Sequence, residues 1–402
     1  MTRFTTILLL GLAASLPVNA VAQTATPTGA TASVTLPLVE KQVFTLPSYT
    51  TVAGETIPDV RLGYETYGRL NARGDNAIFI AHFYSGNSHA AGKYAAGDPL
   101  PGYWDAIIGP GKAIDTDKYF VVSADTFANL NVADPKVVTT GPASIDPRTG
   151  KHYGLRFPVV SLRDSVRTHK ALLDQLGVKR LVAVAGASGG AIQAMEWAAL
   201  YPEFVERVVH VIGPGFEIHP WTIALVDAWT TPIRMDPAWN NGDYYGGPGP
   251  RVGVSKSLKI LTLTARHWRW SGETFGYAHS ARLPNPDKNI SGQFQIVDAF
   301  DIVGDMRASA IDANNMIYMS RAASLYRLSD GEIDGIKAKL LFVPAESDLI
   351  FPPQFSEQAA ARFTRAGGRA EVFMLKGGGG HLDGLFEIAQ AAGKIRQFIE
   401  SP

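Results

Sequence analysis

The sequence of 402 residues contains no cysteine. That excludes disulfides, zinc–thiolate sites, iron–sulfur clusters and a cysteine nucleophile together. It has no net charge either: 37 Lys and Arg balance 37 Asp and Glu. Nothing therefore draws the chain towards nucleic acid or an anionic membrane, and no block of like charge forms an interaction tail. No HExxH or similar ligand cluster points to a metal, and no GxGxxG follows an early strand, so no cofactor is expected. Beyond the N-terminus, no apolar run is long enough to cross a bilayer.

The N-terminus reads MTRFTTILLLGLAASLPVNAVAQ. Arg3 precedes a short apolar segment, Ile7 to Ala14, and Ala20-Val21-Ala22 forms a small-residue site before Gln23. This is the pattern of a secretory signal peptide over residues 1–22, which places the mature chain in the periplasm or outside the cell, off the membrane. Residues 23–42 then read as a polar Ala/Thr/Pro tail. An exported chain without cysteine relies on its core, and 46% hydrophobic residues supply one.

Short apolar runs alternate with helical patterns through the rest. Val43 to Gly68 predicts antiparallel strands, and AIFIA (77–81), YFVVSA (119–124), Arg180 to Ala185 and VERVVHVI (205–212) predict buried strands. Helices are expected over Ser161–Leu176 and Gly190–Tyr201. The fold class this predicts is α/β, with a mostly parallel central sheet covered by helices on both faces. From about Gly215 to Asp330 the character changes: five of the seven tryptophans fall here, and NNGDYYGGPGP is irregular. An inserted helical lid over 215–330 is expected to divide the α/β core into residues 43–214 and 331–402. The second part carries the strands AKLLFVPA and AEVFML, a helix from Pro353 to Gly367, and a terminal helix.

At the junction of one strand and one helix stands Gly186-Ala187-Ser188-Gly189-Gly190, a G-x-S-x-G pattern. A serine hydroxyl is a poor nucleophile unless it is presented bare to a base. A sharp strand-to-helix turn does this, and flanking glycines relieve the crowding the turn creates. The free amides of the helix N-terminus face the negative charge that develops. In this architecture an acid and then a histidine follow the serine. Downstream of His279 there is one histidine, His381, in KGGGGHLDG after the apparent last strand. The segment LLFVPAESDLIFPP offers Glu346 and Asp348 as the acid, and spacing does not separate them. One oxyanion donor is expected from the Gly189 amide, the other from AHFYSGNSHAAG, whose His82 and His89 are read as structural.

The blocks LGYETYGRLN, IGPGKAIDTDKYFVV, TGPASIDPRTGKHYGLRFPVVSLRDSVR, QAMEWAALYPEFVERVV, DPAWNNGDYY and SDLIFPP resemble the homoserine O-acetyltransferase family of the α/β hydrolases, in order, from about Leu62 to His381. The resemblance implies an α/β-hydrolase fold, Ser188 as nucleophile, Asp348 as acid, His381 as base, and the Tyr84 amide as second oxyanion donor. It also implies a homodimer joined through the lid. Two positions depart from the family. An arginine that grips the homoserine carboxylate is replaced by Thr230, and an aspartate that follows the histidine is replaced by Leu382, with Asp383 one residue on.

With both contacts to the amino acid changed, and with export placing the chain away from acetyl-CoA, the sequence favours a serine hydrolase acting on a small-molecule ester through an acyl-enzyme. Trp229, Thr230 and Leu382 are its candidate substrate contacts, and the tryptophans of the lid suggest an apolar or aromatic substrate portion. The alternative is an O-acyltransferase of the same type with a changed acceptor.

Overall fold

A computed structural model describes Leu36 and residues 38–401. The expected signal peptide lies outside the described residues. Eight strands form the central sheet: β1 (Gln42–Thr50), β2 (Thr56–Tyr67), β3 (Ala77–Ala81), β4 (Phe120–Ala124), β5 (Leu181–Ala187), β6 (Arg207–Val211), β7 (Lys339–Val343) and β8 (Ala370–Val372). Their spatial order is β1-β2-β4-β3-β5-β6-β7-β8. Pairing is antiparallel from β1 to β2 and from β2 to β4, and parallel from there to β8. Every residue of β3, β4 and β6 is buried, as cover on both faces requires; β3 is apolar throughout, while β4 also buries Ser123 and β6 Arg207 and His210.

Numbering helices of eight residues or more, α1 is Leu162–Gln175 and α2 is Gly189–Leu200. Ser161 caps α1: its hydroxyl accepts from the Asp164 amide while Asp164 accepts from the Ser161 amide, a capping box that sets where the helix starts. The apolar face of α1 (Leu162, Val166, Leu172, Leu173) packs towards the sheet, and Arg163 on its polar side reaches Glu196 of α2 at 2.6 Å. Ten of the twelve residues of α2 are buried, so this helix is apolar nearly all round. It packs on β5, β6 and α1 and carries Ser188 at its start.

Between β6 and β7 lie five further helices: α3 (Pro220–Met235), α4 (Arg251–Ala265), α5 (Trp268–Phe275), α6 (Gln295–Arg307) and α7 (Ala313–Ser324). α3 packs on α4 and α7, and α4 on α6. The NNGDYY segment is held down: Asn240 and Asn241 turn the chain through left-handed φ of 45° and 51°, and Tyr244 and Tyr245 donate to Asp312 at 2.7 and 3.2 Å. After β7 come α8 (Pro353–Arg365) and α9 (Ala392–Glu400).

The structure differs from expectation at β8, which spans three residues where AEVFML suggests six. It is the edge strand. The chain leaves the ladder after Val372 and touches the sheet again through a single bridge, Leu375 to Ala345, before entering the glycine loop.

Candidate active site

β5 delivers Ser188 to the carboxyl end of the sheet, where its amide donates to the Val211 carbonyl at 2.9 Å. Ser188 sits at φ 55°, ψ −114°, a conformation that costs an L-residue of the order of 1–3 kcal/mol. The turn is possible because its flanks carry no side chains. A Cβ on Gly186 would lie 2.2 Å from the Gly190 oxygen, and one on Gly190 only 2.0 Å from the Ala81 oxygen. The hydroxyl of Ser188 is thereby lifted clear of the sheet.

The loops after β7 and β8 bring two more groups to it. His381 Nε2 lies 2.8 Å from Ser188 Oγ, and His381 Nδ1 lies 2.7 Å from Asp348 Oδ2. All three side chains are buried. Asp348 Oδ1 accepts from the Ile350 and Phe351 amides at 2.8 and 3.0 Å, which orients the carboxylate. Glu346, the other acid that spacing allows, faces Lys376 at 3.0 Å. The His381 loop is tied from below: the Gly380 amide donates to Ser347 Oγ at 3.0 Å, and the Gly379 amide to Asp383 Oδ2 at 3.1 Å. Burial raises the Asp383 pKa to about 6.

On the far side of Ser188, the loop after β3 meets the start of α2. A Cβ on Gly189 would stand 3.2 Å from the Tyr84 nitrogen, so the backbone of this loop passes close to the first residue of α2. The first amides of a helix have no partner inside it. The Tyr84 hydroxyl fixes the loop to the lid, contacting the Met316 carbonyl at 3.0 Å and Ser320 Oγ at 2.7 Å. Beneath the loop, Lys41 contacts Ser88 Oγ and pairs with Glu65 at 2.7 Å. Glu65 also accepts from Tyr67 at 2.7 Å and contacts His89 Nδ1 at 3.0 Å.

A cavity of about 310 Å³ opens over Ser188 and His381. Trp229, Leu261, Ile350, Leu382 and Leu385 give it a largely apolar wall. Ile212, a β-branched residue held at φ 43°, also lines it. Thr230 does not reach this space. Its hydroxyl turns back to the Asp227 carbonyl at 3.1 Å, and its side chain faces an adjoining depression with Val226 and Arg321. Neighbouring positions on α3 point about 100° apart, so Trp229 enters the cavity and Thr230 does not. Of the five lid tryptophans, Trp229 alone is on the wall: Trp221 and Trp268 are exposed, Trp239 donates to Asn314, and Trp270 stacks under Arg266. Arg307, which sequence reasoning did not single out, is on the wall as well. Among the described residues there is no group of three or more potential metal ligands.

A hydroxyl hydrogen-bonded to an imidazole, which is oriented by a carboxylate, can form and break an acyl ester. The family model for the alpha/beta hydrolase fold matches residues 139–387. The homoserine O-acetyltransferase of Symbiobacterium thermophilum is 37% identical over 354 residues, covering 87% of this chain and 91% of that protein. Among solved structures, the homoserine O-acetyltransferase from Bacillus anthracis superposes with a TM-score of 0.86 at 33% identity, over 91% of this chain and 98% of that one. Esterase E22 superposes with the same TM-score at 44% identity, over 90% of this chain and all of that one. The chain belongs to the homoserine O-acetyltransferase-like family of α/β hydrolases.

These relatives correct the expectation of an exported serine hydrolase. Acetyltransferases from several organisms match this chain over most of its length, which favours acyl transfer. The expectation leaned on the changed contacts at Thr230 and Leu382, which bear on the acceptor rather than on acyl transfer itself, and on export, which rested on the N-terminal pattern alone.

Proposed function

We propose that the chain is an O-acyltransferase whose acceptor is an alcohol other than homoserine. The observation that carries this is the Ser188–His381–Asp348 hydrogen-bonded chain at the floor of an apolar cavity, in a protein whose curated relatives are acetyltransferases.

Ser188 Oγ attacks the carbonyl carbon of an acyl donor and passes its proton to His381 Nε2. The tetrahedral oxyanion takes hydrogen bonds from the Gly189 and Tyr84 amides. Collapse breaks the bond to the donor's leaving group, which receives the proton from His381, and leaves an acyl-serine. An acceptor hydroxyl then gives its proton to His381 Nε2 and attacks the same carbonyl. Ser188 departs and recovers the proton, and the acyl group is now on the acceptor oxygen. Asp348 stabilises the imidazolium in both halves. The apolar wall disfavours water and so the competing hydrolysis.

Homoserine fits poorly. Among the described residues, no carboxylate lines the cavity to receive its ammonium. Asp383 is turned away, towards Gly379 and Ser347, and Leu382 faces the space instead. Leaving an ammonium unpaired there would cost several kcal/mol.

The test is partitioning of the acyl-enzyme. With p-nitrophenyl acetate as donor, added alcohols should raise the rate of turnover and yield acetylated alcohol at the expense of acetate, with homoserine a weak acceptor. Acetate as the sole product with every alcohol would overturn the proposal.

A further inference from the structure

Arg307 ends α6 and, among the described residues, is the one permanently charged residue on the wall of the Ser188 cavity. Among the described residues its guanidinium has neither an ion pair nor a hydrogen bond, and burial lowers its pKa with no carboxylate to oppose the shift. The acids of the same helix are taken by other groups. Asp298 holds Arg282 at 2.8 Å, Asp301 holds Lys256 and Lys259 at 2.6 and 2.9 Å, and Asp305 accepts from Ser255 at 2.6 Å. Those contacts lie on the outer side of the lid, while Arg307 faces inward beside Val303 and Met306.

Arg307 is half-buried, so solvent still reaches it; a substrate that fills the apolar cavity displaces that solvent and must itself supply the acceptor. Arginine presents a planar fork of donors that fits a carboxylate with two parallel hydrogen bonds. We infer that the natural substrate carries a carboxylate but no ammonium group, and that Arg307 binds that carboxylate while the acyl carbon sits at Ser188. This rests on the acyl-transfer reading of the Ser188 site. The carboxylate belongs either to the acyl chain or to the acceptor alcohol. The chemistry at Arg307 is the same in both cases. Since Arg307 also lies in the last turn of α6, where a cation suits the helix dipole, a change in stability does not report on its role.

Two paired comparisons read the charge itself. The first compares kcat/KM for the mono-p-nitrophenyl ester of glutaric acid with that for p-nitrophenyl pentanoate. The second compares acceleration of deacylation by a short hydroxy acid with that by its amide. In one of the two, the native enzyme should prefer the anion, and Arg307→Met should lower that preference by about 10- to 100-fold, with Arg307→Lys in between. A response in the first pair places the carboxylate on the acyl chain; a response in the second places it on the acceptor. If Arg307→Met leaves both ratios at the native value, the inference is overturned. Should that variant fail to fold, as judged by loss of fluorophosphonate labelling at Ser188, the native protein decides. Carboxylates that protect Ser188 from the probe about tenfold more tightly than the matching amides support the inference; equal protection ends it. An acyl-enzyme that passes to no alcohol would sink the transferase reading alone, because the first pair still reports on Arg307.

Discussion

His82 Nδ1 donates to the carbonyl of Phe83 at 2.8 Å, and that carbonyl shares one peptide with the Tyr84 amide. The tautomer follows from the other ring nitrogen: the Thr126 amide donates to His82 Nε2 at 3.1 Å, so the ring proton is on Nδ1. Burial lowers the His82 pKa, which keeps the ring neutral. In a planar trans peptide the N–H points opposite to the C=O. Holding the Phe83 oxygen therefore aims the Tyr84 N–H away from His82, towards the space bordered by Gly189.

His82 should accordingly act as a positioning residue for the oxyanion. His82→Ala is expected to lower kcat for acylation by roughly 10- to 100-fold, short of the loss of a whole donor, with KM nearly unchanged. His82→Asn, whose amide reaches the Nδ1 position, should restore part of it. Steady-state kinetics with p-nitrophenyl acetate distinguish this from a loss of fold, which would scale the amount of active enzyme and spare the rate per labelled Ser188.

The glycines around Ser188 should separate stability from rate. Gly190→Ala drives a Cβ to 2.0 Å from the Ala81 oxygen, a backbone atom of β3 that cannot step aside cheaply. A loss of roughly 3 kcal/mol is expected, seen as a lower urea midpoint. Gly189→Ala meets the Tyr84 nitrogen at 3.2 Å, which a small shift of the loop relieves. Its stability should change by less than about 1 kcal/mol, while acylation slows because the shifted atom is the donor itself. A Gly189→Ala variant with native turnover would remove Tyr84 from the oxyanion site.

The sheet and the serine turn were legible because each rests on local constraints. Fully apolar runs such as Ala77–Ala81 need cover on both faces, and Gly186 and Gly190 stand where any side chain would strike backbone. The choice between Glu346 and Asp348 was not legible from spacing, since both lie on one loop, and the turn over Ser347 sends one to Lys376 and the other to His381. Thr230 was misplaced for a related reason: an aligned position on a helix fixes where the backbone is, and a short side chain need not reach what an arginine reaches. Arg307 gave no signal at all. A lone arginine closing an amphipathic helix looks like a solvated end until the lid folds it over the cavity.

Asp348→Asn should abolish turnover without disturbing the fold. The Ile350 and Phe351 amides hold one side-chain oxygen, so an asparagine would keep its oxygen there and turn its NH2 towards His381 Nδ1. Two donors cannot face each other, so the ring proton would move to Nε2 and the base facing Ser188 would be lost. A fall of about 10⁴-fold in kcat is expected, with an unchanged melting profile, and Ser188→Ala should be at least as severe. Measured activity within about tenfold of native would rule out the tautomer argument.

Asp383 should make stability fall as pH rises. Its carboxyl is buried beneath the His381 loop. Desolvation, reinforced by the nearby charge of Glu387, raises its pKa to about 6, against the opposing pull of the Gly379 amide, Ser347 and Arg266. An unfolded aspartate ionises near 3.8. Because the folded value is the higher one, the folded chain binds this proton more tightly. The resulting stabilisation is full below about pH 4 and is lost progressively as pH climbs through about 6. Its size is at most about 3 kcal/mol, and less once solvent screening of the carboxyl is allowed for. Asp383→Asn removes the titration while keeping an oxygen to accept from Gly379. Urea midpoints of the two proteins, followed from about pH 4 to about pH 8, should diverge, the native chain losing stability relative to the variant across that window. Parallel curves would mean that Asp383 ionises as freely in the folded chain as in the unfolded one.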